Sequence, residues 1–125
     1  MGEVVVDSNI LIRYLERDPR TAMVLEKLII EGKRILVPTI VIAEMLSYPK
    51  LTNEERMIIK GFVSNFETIP LDFSIAEIGG LLRSKYKIKL PDALIAATTI
   101  YYNASLLTFN LKDFKKIKEL KLISL

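Results

Sequence analysis

The chain has 125 residues, half of them hydrophobic, with a net charge of +3 and a pI of about 9.1, which fits one domain over residues 1–125 with a sizeable core. It contains neither Cys nor His, which excludes disulfides, thiolate nucleophiles, imidazole bases and the usual zinc ligands. Any chemistry must rest on carboxylates, hydroxyls, amides, lysines or a metal held by oxygen. No apolar run approaches the roughly 18 residues of a membrane span, and no charged leader precedes the first apolar run, so a cytoplasmic protein is expected.

In chain order, residues 3–7 read as a short buried strand ending at Asp7, within "VVVDSNILI" (4–12). A helix follows over about 9–16, and "DPRT" (18–21) marks a turn and a fresh helix that runs to Gly32. "RILVP" (34–38) reads as a second strand, after which Thr39 can cap a helix through about Leu46 that stops before Pro49. Thr52 or Asn53 opens another helix to about Ser64, and "ETIPL" (67–71) is a third strand. Ile75, Ile78, Gly79, Leu82 and Tyr86 line one face of the next helix, where Gly79-Gly80 permits close packing. Pro91 suits the first turn of a helix carrying a small-residue stripe at Ala93, Ala96 and Ala97. "SLLTF" (105–109) and "KLISL" (121–125) complete five expected strands. Short apolar strands alternating with helices predict an α/β/α sandwich around a mainly parallel sheet, in which ligands gather at the carboxyl ends of the strands.

Asp7 stands at such an end. Alone it would be an ordinary helix cap. Glu44, in the apolar stretch "TIVIAEML", would be explained by a solvent-facing helix edge or an ion pair, and Asp92 by the helix macrodipole. Asn110 and Asp113, after the fourth strand, would serve as turn and cap residues. Together they describe a different object: Asp7, Asn110 and Asp113 follow strands, while Glu44 and Asp92 lie in the first turns of helices that can converge on the same rim. Two unit charges about 4 Å apart repel by on the order of 4 kcal/mol at an effective dielectric near 20, so such a cluster must protonate, spread apart or bind a cation. All-oxygen donors suit Mg²⁺ or Mn²⁺.

"VVVDSNILI", "VPTIVIAEML", "LPDALIAAT" and "LLTFNLKDF", in that order and spacing, resemble the PIN-domain family, especially its VapC-type toxin ribonucleases. The resemblance implies a PIN-like α/β/α fold and a Mg²⁺- or Mn²⁺-dependent endoribonuclease. It carries the acidic positions over to Asp7, Glu44 and Asp92, with Asn110 or Asp113 as the fourth. It also implies an RNA substrate, a small antitoxin partner and a homodimer, for which the apolar segments 23–30 and 57–66 offer surfaces. On this reading Asp7, Glu44, Asp92 and Asp113 hold the metal, Ser8 or Asn9 orients Asp7, and Thr108 bonds a neighbouring carboxylate. "RSKYKIK" (83–89) carries four positive charges and no negative one. Arg13, Lys85, Lys87, Lys89 and Lys112 are candidate phosphate contacts, and Tyr14, Tyr86, Tyr101 and Tyr102 are candidate base-stacking residues.

Two other readings compete. A phosphoacceptor receiver domain would use Asp72 as acceptor and Thr108 as switch hydroxyl, but leaves Glu44 and Asp92 without a task. A non-catalytic PIN-like module would bind RNA or a protein on the same fold.

Overall fold

The computed structural model describes residues 2–123. Its elements are β1 (Glu3–Val6), α1 (Ser8–Leu15), α2 (Pro19–Ile30), β2 (Arg34–Pro38), α3 (Thr39–Leu46), α4 (Asn53–Val63), β3 (Glu67–Ile69), α5 (Phe73–Tyr86), α6 (Leu90–Tyr101), β4 (Ser105–Leu107) and α7 (Leu111–Phe114). The four strands pair in the order β3-β2-β1-β4, every neighbour parallel. Right-handed crossovers put the helices that lead from β1 through β2 to β3 on one face. The same handedness puts the α5–α6 return to β4 on the other. This is the expected α/β/α sandwich.

Strands covered on both faces need continuous apolar runs rather than alternation. Val5, Val6, Leu36, Val37, Leu106 and Leu107 meet that need and are completely buried. The second layer depends on close approach of α5 and α6. A Cβ on Gly79 would come within 2.7 Å of the Leu94 Cδ2 and force that side chain to shift, while Ala93, Ala96 and Ala97 present a fully buried small-residue face.

Side chains define most helix starts. Asp18 accepts from Thr21 N–H at 3.0 Å, Asp72 accepts from Ile75 N–H at 2.9 Å, and Thr52 forms a reciprocal capping box with Glu55. Thr39 is not a cap: Pro38 occupies that position and makes no side-chain cap bond. Lys87 closes α5 in the left-handed region at φ 57°, a conformation that costs a residue with a Cβ roughly 1–2 kcal/mol.

The fifth strand expected over 121–125 is reduced, among the described residues, to one parallel bridge between Leu106 and Leu122, with Ser124 and Leu125 outside the described residues. Only Leu106 is engaged: its N–H donates to Lys121 O at 2.8 Å and its carbonyl accepts from Ile123 N–H at 2.9 Å. β4 has three residues and offers its outer neighbour little ladder.

Candidate active site

The strand order reverses between β1 and β4, because β1 continues into β2 on one side while β4 arrives on the other. Such a switch point opens a crevice at the carboxyl ends of the two strands. Val6 pairs with Leu107, and the next residues, Asp7 and Thr108, meet across that crevice. Asp7 N–H still bonds Leu107 O at 3.1 Å, so the ladder fixes its backbone.

Asp7 is 4% exposed and its carboxylate is held at both oxygens. Oδ1 accepts from Ser8 N–H at 2.8 Å, and Oδ2 accepts from Thr108 Oγ1 at 2.8 Å and from Asn9 Nδ2 at 3.4 Å. Thus Asp7 caps α1 and faces the crevice at once. Burial pushes its pKa above the ordinary 3.8, while the Thr108 and Ser8 hydrogen bonds oppose the rise.

Glu44 is the sixth residue of α3, in the second turn rather than the first. It approaches the crevice through Ser8, whose Oγ donates to its Oε1 at 3.2 Å. Asp92 enters from the first turn of α6. Partial burial raises the pKa of both, and the negative charge of Asp7 raises each further. Asp92 adds to the rise at Glu44, Asp113 adds to the rise at Asp92, and Lys89 opposes it. Three segments of the chain therefore bring Asp7, Glu44 and Asp92 within electrostatic reach of one another, and a fourth sets Asp113 beside Asp92.

The segment after β4 is tied to this cluster from both sides. Thr108 Oγ1 accepts from Asn9 Nδ2 at 3.3 Å and from Asn110 N–H at 3.0 Å, and Asn9 Oδ1 accepts from Phe109 N–H at 3.2 Å. Asn110 Nδ2 donates to Asp113 Oδ2 at 3.0 Å. Asn110 thus orients Asp113 with its amide nitrogen. This join depends on α7, a four-residue helix too short to leave a periodic signal in the sequence.

The other candidates lie around the rim or away from it. Arg13 lies 4.4 Å above the ring of Phe109, on the same face of α1 as Asn9; Phe109 itself escaped the sequence reading, although it directly follows Thr108. Lys89 occupies the N-cap position of α6, and Lys112 is exposed on α7. Lys85 pairs with Glu119 at 3.4 Å and lies over Tyr86, whose hydroxyl also bonds Glu119. Tyr14 stacks on Phe62 at 5.5 Å, and Tyr101 and Tyr102 pack edge to face. Asp72, the phosphoacceptor of the receiver reading, is an exposed helix cap beyond β3, separated from β1 by β2.

A divalent cation would suit this donor set. The cluster is all oxygen, and none of the three ion pairs among the described residues involves Asp7, Glu44, Asp92 or Asp113. Among the described residues no three acidic side chains already form a metal-holding group. Like charges repel, so carboxylates spread apart rather than cluster, and Glu44 and Asp92 are half-buried.

A parallel sheet with an uncompensated acidic cleft at its switch point defines the class of protein, and similarity narrows it. The PIN domain profile matches residues 4–120. Ribonuclease VapC19 of Mycobacterium tuberculosis is 31% identical over 122 residues, covering 94% of this chain and 96% of that protein. Among solved structures, VapBC2 from Rickettsia felis bound to a DNA fragment from its promoter is similar with a TM-score of 0.84 and 28% identity, over 97% of each chain. A toxin-antitoxin complex from Klebsiella pneumoniae is similar with a TM-score of 0.82 and 29% identity, over 97% of this chain and 96% of that one. The chain belongs to the PIN-domain family, in its VapC-type branch.

Proposed function

We propose that this protein is a Mg²⁺- or Mn²⁺-dependent endoribonuclease and the toxin of a toxin-antitoxin pair. The observation that supports the reading is that Asp7, Glu44 and Asp92 feel one another's charge, with Asp113 beside Asp92, while none of the four joins an ion pair among the described residues. Asp7, Glu44 and Asp92 would hold the ion, with Asp113 oriented by Asn110 as the fourth acid. A bound divalent ion supplies Lewis acidity, lowering the pKa of water and offsetting negative charge on the phosphodiester.

The chain's own groups prepare that chemistry. Ser8 joins Asp7 to Glu44, and Thr108 fixes Asp7 Oδ2, so the acids keep their orientation before substrate arrives. Hydrolysis adds the oxygen of water to phosphorus, breaks one P–O bond and passes one proton to the leaving oxygen. Arg13, stacked on Phe109, and Lys89 and Lys112 supply positive charge beside the cleft for the strand's phosphates.

The antitoxin partner is supported by the relatives and by a groove of about 430 Å³ lined by Ile12, Leu15, Tyr48, Leu51 and Ile58, with Glu16 and Glu55 at its edge. An amphipathic segment with basic residues beside its apolar face would complement both features. Phe73, Leu81, Leu90 and Tyr101, left exposed on α5 and α6, support a homodimer. Among the described residues no helix is long and apolar enough to cross a membrane, consistent with action in the cytoplasm.

The test is cleavage of mixed transfer and single-stranded RNA with Mg²⁺ or Mn²⁺ by wild type and by Asp92→Asn prepared identically. Metal-dependent cutting by wild type alone is expected. Equal cutting by both, or none by folded wild type, would contradict the proposal.

A further inference from the structure

The C-terminal end of α5 carries a basic hollow outside the acid cleft. It encloses about 420 Å³ and is lined by Gly80, Arg83, Ser84 and Lys87. It is open on the Gly80 side, where a Cβ would meet nothing within 4 Å. Arg83 and Lys87 are exposed, and neither joins any ion pair among the described residues. Both line the same hollow, so two like charges face it, and an anion there would offset their repulsion.

Arg83 is placed by a hydrogen bond, and Lys87 by its backbone. Arg83 Nη1 donates to Ile88 O at 3.2 Å, which anchors the guanidinium and leaves its other N–H groups for a ligand. Lys87 sits at the left-handed cap position that glycine usually takes. Lys85, on the same helix, is committed to Glu119 and contributes nothing to the hollow. From Lys87 the chain passes through Lys89 to Asp92, so the hollow and the acid cleft stand at the two ends of one short segment.

We infer that Arg83, Ser84 and Lys87 bind a backbone phosphate of the RNA strand at a distance from the bond that is cut, an inference that rests on the RNA-cleaving reading. A guanidinium, a hydroxyl and an ammonium around one hollow match phosphate oxygens. The lining has no aromatic face or amide to read a base, so the contact anchors the strand without selecting its sequence.

Fluorescence anisotropy of a labelled single-stranded oligoribonucleotide in EDTA tests this without cleavage. Lys87→Gly removes the charge and suits the backbone, so it should melt no lower than wild type. It is expected to bind about five- to ten-fold more weakly at low salt, with the slope of log Kd against log[KCl] reduced by about 0.7. Lys60→Ala, a charge removal on α4, should match wild type, and a DNA strand of the same sequence should depend on Lys87 equally. Absent wild-type binding, unchanged affinity and slope in Lys87→Gly, an equal loss in Lys60→Ala, or a loss confined to RNA would each overturn the inference. Failure of wild type to cut RNA with metal present would overturn the nuclease reading and leave this comparison to decide the phosphate site.

Discussion

The two ends of the sheet treat acidic residues in opposite ways. At the amino ends of the strands, Arg34 on β2 bridges Glu3 on β1 at 2.9 Å and Glu67 on β3. That contact holds the Glu67 carboxyl below its ordinary range. At the carboxyl ends, Asp7, Glu44 and Asp92 join no ion pair among the described residues; burial pushes up all three carboxyls, and the charge of Asp7 adds to the rise at the other two. The first arrangement staples three neighbouring strands together. The second weakens the fold, a cost that a protein retains where the charges serve chemistry.

The largest effect that would break this comparison is on activity. Asp7→Asn and Asp92→Asn should each reduce metal-dependent RNA cleavage by at least about 100-fold in kcat/KM. Arg34→Met should leave it within about two-fold. Loss of cleavage in Arg34→Met with its fold intact would erase the functional difference between the two ends.

Next in size is Thr108→Val. It removes a donor to Asp7, leaves Asn110 N–H without its acceptor and takes one of two acceptors from Asn9 Nδ2, so a loss of about 1–3 kcal/mol in chemical denaturation is expected. Without that hydrogen bond the Asp7 carboxyl rises further. The acid limb of the pH–rate profile should therefore move to higher pH, a shift that mere loosening of the core would not produce.

Smaller, but of distinctive sign, is the stability of the acid variants. A carboxyl whose folded pKa lies above its unfolded value leaves the folded state holding extra proton between the two values, so stability falls as pH rises through that window. For Asp92 the window opens upward from 3.8. Without metal, Asp92→Asn should melt a few degrees above wild type at neutral pH, and the gap should close as pH falls below 3.8.

Arg34→Met should give the smallest effect, with the opposite pH dependence. Glu67 has a lowered carboxyl, so its contribution is present above 4.5 and lost as pH falls through its folded value. A slight fall in Tm at neutral pH that vanishes in acid is expected for so exposed a pair. Thermal melts of both variants across the same pH series separate the two ends directly.

Much of this contrast could be read before any coordinates. Val4, Val5 and Val6 ending in Asp7 gave away a buried strand with a carboxylate at its tip, and the other acids, rather than Asp7 alone, pointed beyond a helix cap. Glu44 stood out for the same reason in an apolar helix. What escaped depends on partners distant in the chain. Lys85 and Glu119 are 34 residues apart, and their pairing removed one cation from the basic run 83–89. The double bridge of Arg34 spans strands whose register no local pattern specifies. Asn110 and Asp113 were visible as a pair of alternatives, but the hydrogen bond that joins them depends on α7. Among the described residues the expected fifth strand comes down to the single bridge between Leu106 and Leu122.

The most direct measurement is calorimetric titration of the metal-free protein with Mn²⁺ at neutral pH, comparing wild type with Asp92→Asn and Arg34→Met. Saturable binding in wild type and Arg34→Met, and at least about ten-fold weaker binding in Asp92→Asn, is the predicted result. Folded wild type that takes up no Mn²⁺, or Asp92→Asn that binds it equally well, would contradict the claim that these carboxylates are held apart to receive a cation.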